Sequence, residues 1–222
     1  MYPLKRLTIL CGHYGSGKTN VAVNLATKLR ERHESVTVAD LDIVNPYFRT
    51  KDSEAYFASK GIRLICSAYA NSNVDIPALP QEMYAITDDR SMHAVLDIGG
   101  DDRGALVLGR LAPKILAEGD YEMLMVINRY RPLTRDAVST MEVMAEIEAA
   151  GGIRFTGLVN NSNLGELTTV EDILASGAYA EEVSRLSGLP LVMTTVREDL
   201  AAAAEGKLPN VFPLGLQKNK YL

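Results

Sequence analysis

The sequence predicts a three-layer α/β fold, a mostly parallel sheet with helices on both faces. Three observations carry this expectation. Short, near-continuous apolar runs recur along the chain, separated by longer segments of helical periodicity. A glycine-rich run, CGHYGSGKTN over residues 11–20, lies between the first apolar run and the first helical pattern. The chain of 222 residues with 47% apolar content can bury one large core, and a single domain over 1–222 is the simplest organisation.

The apolar runs are LTILC (7–11), VTVAD (36–40), RLICS (63–67), AVLDI (94–98), MLMVI (123–127), FTGLVN (155–160) and LPLVM (189–193). Their lack of strict apolar–polar alternation is what strands covered on both faces require. Helical patterns fill the intervals at 19–32, 53–60, 105–117, 134–149 and 170–187, and the second-last runs into a glycine stop at Gly151-Gly152. Strand-then-helix order with short connections implies parallel pairing. On such a sheet ligands bind beyond the carboxyl ends of the strands.

Residues Gly12-His13-Tyr14-Gly15-Ser16-Gly17-Lys18-Thr19 satisfy G-x-x-x-x-G-K-[ST] in the strand–helix setting the pattern requires, with Asn20 following in the helix. The glycines let backbone N–H groups close around phosphate oxygens, and the helix N-terminus adds its positive end. Lys18 is expected to reach the β- and γ-phosphates and Thr19 to offer its hydroxyl to Mg²⁺.

Two aspartate stretches supply further oxygen ligands. VADLDIVNPYFR places Asp40 and Asp42 just past the second run, and AVLDIGGDD ends the fourth run on Asp97, followed by Gly99 and Gly100. A carboxylate ending a buried strand beside the cradle can hold Mg²⁺ directly or through water. Glycines after it let a backbone N–H approach a γ-phosphate and withdraw after hydrolysis. Asp101 and Asp102 read as the opening of the next helix.

With the cradle, the D-x-D and the D-x-G-G, the chain resembles the MinD/ParA group of P-loop ATPases, which includes the nitrogenase iron protein and ArsA. The resemblance runs from residue 7 to about 200. It implies a P-loop NTPase fold and an ATP-dependent switch with catalytic Lys18 and Asp42, the latter placing the attacking water 24 positions after the lysine. Asp40 and Asp97 join Thr19 on the metal side. The turn GLVNNSNLG is similar to the group's base-recognition turn; it makes Asn161 the residue expected at the adenine edge, with Asn160 in reserve. MTTVREDLA (193–201) resembles the loop that packs over the base, and the absence of N-K-x-D favours ATP over GTP. The resemblance further implies a nucleotide-dependent homodimer and a client protein.

One departure stands out. The group's signature lysine, which reaches across a dimer to the partner's nucleotide, is replaced by His13, either a polar loop residue or a weaker, pH-dependent substitute. Arg49 is another candidate for phosphate charge. A different class of reading uses the same fold: small-molecule enzymes similar to dethiobiotin synthetase and the cobyrinate synthases, which activate a carboxylate with ATP and would draw a substrate wall from segment 69–89.

Bulk properties narrow the partners. The net charge of −5, from 23 basic and 28 acidic residues, lacks the basic footprint of a nucleic-acid binder. No run approaches the roughly 18 apolar residues of a membrane span, and LPNVFPLGLQKNKYL makes a poor interfacial helix. No leader is evident, so a cytoplasmic location is expected. Cys11 and Cys66 read as free thiols, and neither they nor the scattered His13, His33 and His93 form a metal framework.

Overall fold

The computed structural model describes residues 3–41, 54–66, 81–100 and 102–216. Asp42, Arg49 and Asp101, and the part of segment 69–89 before residue 81, lie outside the described residues.

Strands β1 (Leu7–Cys11), β2 (Val36–Leu41), β3 (Arg63–Cys66), β4 (His93–Ile98), β5 (Tyr121–Ile127), β6 (Gly157–Asn160), β7 (Leu191–Arg197) and β8 (Val211–Leu214) form one sheet in the order β3-β2-β4-β1-β5-β6-β7-β8. Every pairing is parallel. Helices α1 (Lys18–Arg30), α2 (Glu54–Ser59), α3 (Gln81–Asp88), α4 (Asp102–Glu118), α5 (Ala137–Gly151), α6 (Val170–Ser187) and α7 (Ala201–Ala204) make up the outer layers.

Strand β1 shows why two apolar layers exist. Leu7, Ile9 and Cys11 face one core with α3, α4, α5 and α6, while Leu10 faces the other with α1, α2 and the ends of β8. Val21, Leu25 and Leu29 recur at helical spacing on α1 and are at most 3% exposed. Burying each such side chain contributes about 1.5–3 kcal/mol, which fixes α1 against the sheet directly behind the cradle.

Helix ends follow local chemistry. Asp136 caps α5 by accepting from Ser139 N, and Gly152 ends it at φ 67°, returning its N–H to Glu148 O. Helix α6 opens on a capping box between Thr169 and Asp172.

Several boundaries differ from those read off the sequence. Helix α5 starts at Ala137 rather than 134, because Pro132–Thr134 closes a 3₁₀ turn whose Thr134 hydroxyl donates to Asn128 O. Strand β7 runs to Arg197 because it gains a neighbour, β8, which the sequence reading did not anticipate. That strand is four residues long and contains Pro213, which lacks an N–H and is tolerated on an edge. Gly215 beyond it exchanges two hydrogen bonds with the side chain of Asn24 on α1. Helix α3 was also unanticipated; it buries Met83 and Ile86 against the sheet.

Candidate functional site

The connection from β1 to α1 lies at the centre of the sheet's carboxyl edge, flanked by the ends of β4 and β5. Its path excludes side chains. Gly12 has φ 151°, and a Cβ there would collide with the Val126 carbonyl of β5. Gly17 has φ 85°, and a Cβ would collide with the Asn161 amide. This is a cradle in which backbone rather than side chains meets a ligand.

Lys18 is only 6% exposed, and its Nζ donates to His13 O at 3.4 Å, across the mouth of the loop. Thr19, buried beside it, donates Oγ1–H to Asp97 Oδ2 at 2.7 Å. Asp97 on β4 and Asp40 on β2 are in register on adjacent strands, and both are buried. Two carboxylates and a hydroxyl converging beneath a phosphate cradle are hard oxygen donors of the kind Mg²⁺ takes, together with phosphate and water. Thr19, Asp97 and Asp40 therefore fit such an ion. Among the described residues no cluster of three His, Cys, Asp or Glu side chains could hold a metal alone.

The D-x-G-G turn rests on the cradle itself. A Cβ on Gly100 would lie 2.6 Å from Tyr14 N and 2.9 Å from Gly12 O, so the two backbones pack without side chains between them. Gly99 is buried next to it and packs against Gly104 of α4.

Ser16 is fully buried, with its Oγ lacking a hydrogen-bond partner among the described residues. Tyr14 is exposed, and His13 turns back on the loop, its Nδ1 donating to Tyr14 O at 3.0 Å. Asn20 is half-buried in the first turn of α1. Cys11, under the cradle, has its thiol pKa pushed up to about 12 by burial, against the opposing pull of Lys18. Cys11 and Cys66 are both free, the second half-buried.

Asn160 and Asn161 are buried and engaged internally. Asn160 donates to Ser176 Oγ and accepts from Ser162 N. Asn161 donates Nδ2–H to Ser16 O at 2.6 Å and accepts from the Thr195 hydroxyl, joining the cradle to β7. Next to this brace a shallow, solvent-open cleft is lined by Asn161, Thr168, Ile173, Thr195, Val196 and Arg197, among others. It lies between the NNSN turn and the end of β7, the two stretches singled out for the base.

The sequence reading missed the loop after β5. Buried Asn128 binds Tyr130 N and Asn163 N through Oδ1, and Arg131 donates Nε–H to Gly15 O at 2.7 Å. The sequence carried no local signal for it, because only the sheet order sets β5 beside β1 at the edge where ligands bind.

These features define an α/β protein with a P-loop nucleotide cradle. The chain belongs to the family of the CobQ/CobB/MinD/ParA nucleotide binding domain, which it matches over residues 7–171. Solved structures share the fold. Cell division protein FtsY from Thermotoga maritima superposes with TM-score 0.59 at 20% identity, covering 88% of this chain and 62% of that one. FtsY from Mycoplasma mycoides gives 0.54 at 16% identity, covering 88% and 62%. Chloroplast FtsY from Physcomitrella patens gives 0.58 at 15% identity, covering 87% and 58%. The chain thus spans about 60% of the length of these FtsY structures. No curated protein sequence matches it. None of the described helices is long and apolar enough to cross a membrane.

Proposed function

We propose that the protein is a Mg²⁺-dependent, cytoplasmic ATPase of the MinD/ParA type that acts as a nucleotide-dependent switch on a partner protein. The observation that supports this most is the contact of the D-x-G-G turn with the cradle. Asp97 holds Thr19 while Gly100, three residues on, packs against the backbone of Tyr14 and Gly12. A γ-phosphate arriving at the cradle would meet that turn, so loss of the phosphate would change what the turn rests on.

In this reading Lys18 and the cradle amides stabilise charge developing on the phosphate during in-line attack by water, and Asp42 places that water. Thr19, Asp40 and Asp97 would hold Mg²⁺, which when bound neutralises charge on the phosphate oxygens. Adenine is the base expected, seated in the cleft beside Asn161 and Thr195, because the chain has no N-K-x-D.

Sedimentation velocity of Asp42→Ala with Mg-ATP and with Mg-ADP tests the switch. A dimer with ATP alone supports it and shows that the signature lysine is dispensable. A monomer in both, with nucleotide bound, sinks it. The family description also covers CobQ and CobB. A carboxylate-activating enzyme would accordingly gain its place if wild-type turnover stayed negligible until one particular acid was added.

A further inference from the structure

The cradle has one cation of its own, Lys18, and position 13 adds none aimed into it, since the His13 ring donates back to Tyr14 O. A different positive charge arrives from the neighbouring strand end. Arg131 donates Nε–H to Gly15 O at 2.7 Å. A Cβ on Gly15 would stand 3.3 Å from Arg131 Nε and 3.9 Å from Cζ, so the guanidinium covers the exposed turn of the cradle.

The loop is built to hold it there. Arg131 N donates to Asn128 O, which also accepts from the Thr134 hydroxyl, and Thr134 N returns to Arg131 O. Asn128 ties the loop to the next turn through Asn163 O, Arg129 N donates to Ser162 Oγ, and Tyr130 hydroxyl donates to Asp172 O. Pro132 removes further backbone freedom. Three other arginines behave differently: Arg135 pairs with Asp136, Arg185 with Glu182 and Arg197 with Asp199. Among the described residues no carboxylate pairs with Arg131. A guanidinium carries about five N–H donors, and Nε–H alone is committed to Gly15. The remaining fork keeps the planar geometry that matches phosphate oxygens.

We propose that Arg131 reads the terminal phosphate of a bound nucleoside triphosphate, supplying from the β5 loop the second positive charge that position 13 lacks. Its Nε–H brace on Gly15 fixes the cradle's outer turn, and its terminal N–H groups contact the phosphate that distinguishes triphosphate from diphosphate. The inference rests on the nucleotide-binding reading of this same cradle.

The test is titration of wild type, Arg131→Ala and Arg131→Lys with Mg²⁺ and either the β,γ-imido analogue of ATP or ADP. Losing a charge-assisted contact should weaken triphosphate binding by Arg131→Ala roughly tenfold or more while ADP changes less than about twofold. Arg131→Lys should fall between, since lysine keeps the charge but loses the fork. Equal losses for both nucleotides would reduce Arg131 to a loop brace and overturn the proposal, as would unchanged binding of both. Should Arg131→Ala fail to fold, the triphosphate-to-diphosphate ratio of Arg131→Lys decides by the same criterion. A wild type that binds neither nucleotide would overturn the reading of the cradle and this inference with it; wild-type binding with equal losses overturns the inference alone.

Discussion

Asn161→Ala separates two roles for one side chain, reading a base and bracing the cradle. In the structure its amide donates to Ser16 O at 2.6 Å and accepts from the Thr195 hydroxyl, with 3% of the residue exposed. Truncation strands a buried carbonyl on the cradle side. The Thr195 hydroxyl is less affected, because it already lies 3.3 Å from Asn160 O and can turn to it. At about 1 kcal/mol per lost bond, with a further share for the stranded carbonyl, the cost is about 2 kcal/mol. For a domain of this length that lowers Tm by roughly 4–8 °C. Thermal or urea unfolding of the nucleotide-free protein measures it. Thr195→Val should lose less, and the double variant should be less than additive, since the two residues share one bond. An Asn161→Ala protein within about 0.5 kcal/mol of wild type without nucleotide, but with an altered preference between ATP and GTP, would refute the brace and restore the base-reading role.

Two further predictions concern titratable groups away from the cradle. Glu122 is 2% exposed; burial raises its pKa above the usual carboxylate value, and while Oε1 accepts from Lys5 N and Thr8 Oγ1, Oε2 has no partner among the described residues. The folded state therefore favours the protonated acid, so its contribution is full below pH ~4.5 and is lost as pH rises through the folded pKa. Glu122→Gln keeps the acceptor without the charge and should be more stable than wild type at pH 7.5 in urea unfolding; a less stable variant would contradict this. His93 stacks on His33 with ring centroids 3.6 Å apart, and burial first, then His33 and Arg6, lowers its pKa against the weaker pull of Asp120. Folded protein binds that proton less well than unfolded chain, so the contribution is full above pH ~6.5 and declines below it. Unfolding at pH 8 and pH 5.5 should show a smaller acid-side loss in His93→Asn than in wild type, and parallel losses would rule the pair out as the cause.

The sequence by itself determined the architecture and the place of the glycine-rich cradle within it. Short runs of apolar residues without alternation, bounded by turn residues, fit strands covered on both faces, and strand-then-helix order favours parallel pairing. The cradle was legible because its demands are local: Gly12 and Gly17 are read from a spacing that backbone geometry imposes within eight residues. Asp97 was legible because a carboxylate ending a buried strand needs a partner, and Thr19 is that partner.

What only the tertiary structure decided depends on contacts between distant segments. Strand β8 is too short and proline-bearing to announce itself, and it exists because β7 offers an open edge and Asn24 on α1 holds Gly215. The polar turn NNSN announced a site, but not that Asn161 would spend its amide on Ser16 and Thr195, 145 and 34 residues away. Arg131 gave no signal of its own, since an arginine in a loop is ordinarily solvated. Sheet order places it beside the cradle by setting β5 next to β1, and it reaches Gly15 across a separation of 116 residues. Spacing within one segment encodes backbone conformation, whereas which side chain meets which backbone across the sheet is settled only when the strands take their order.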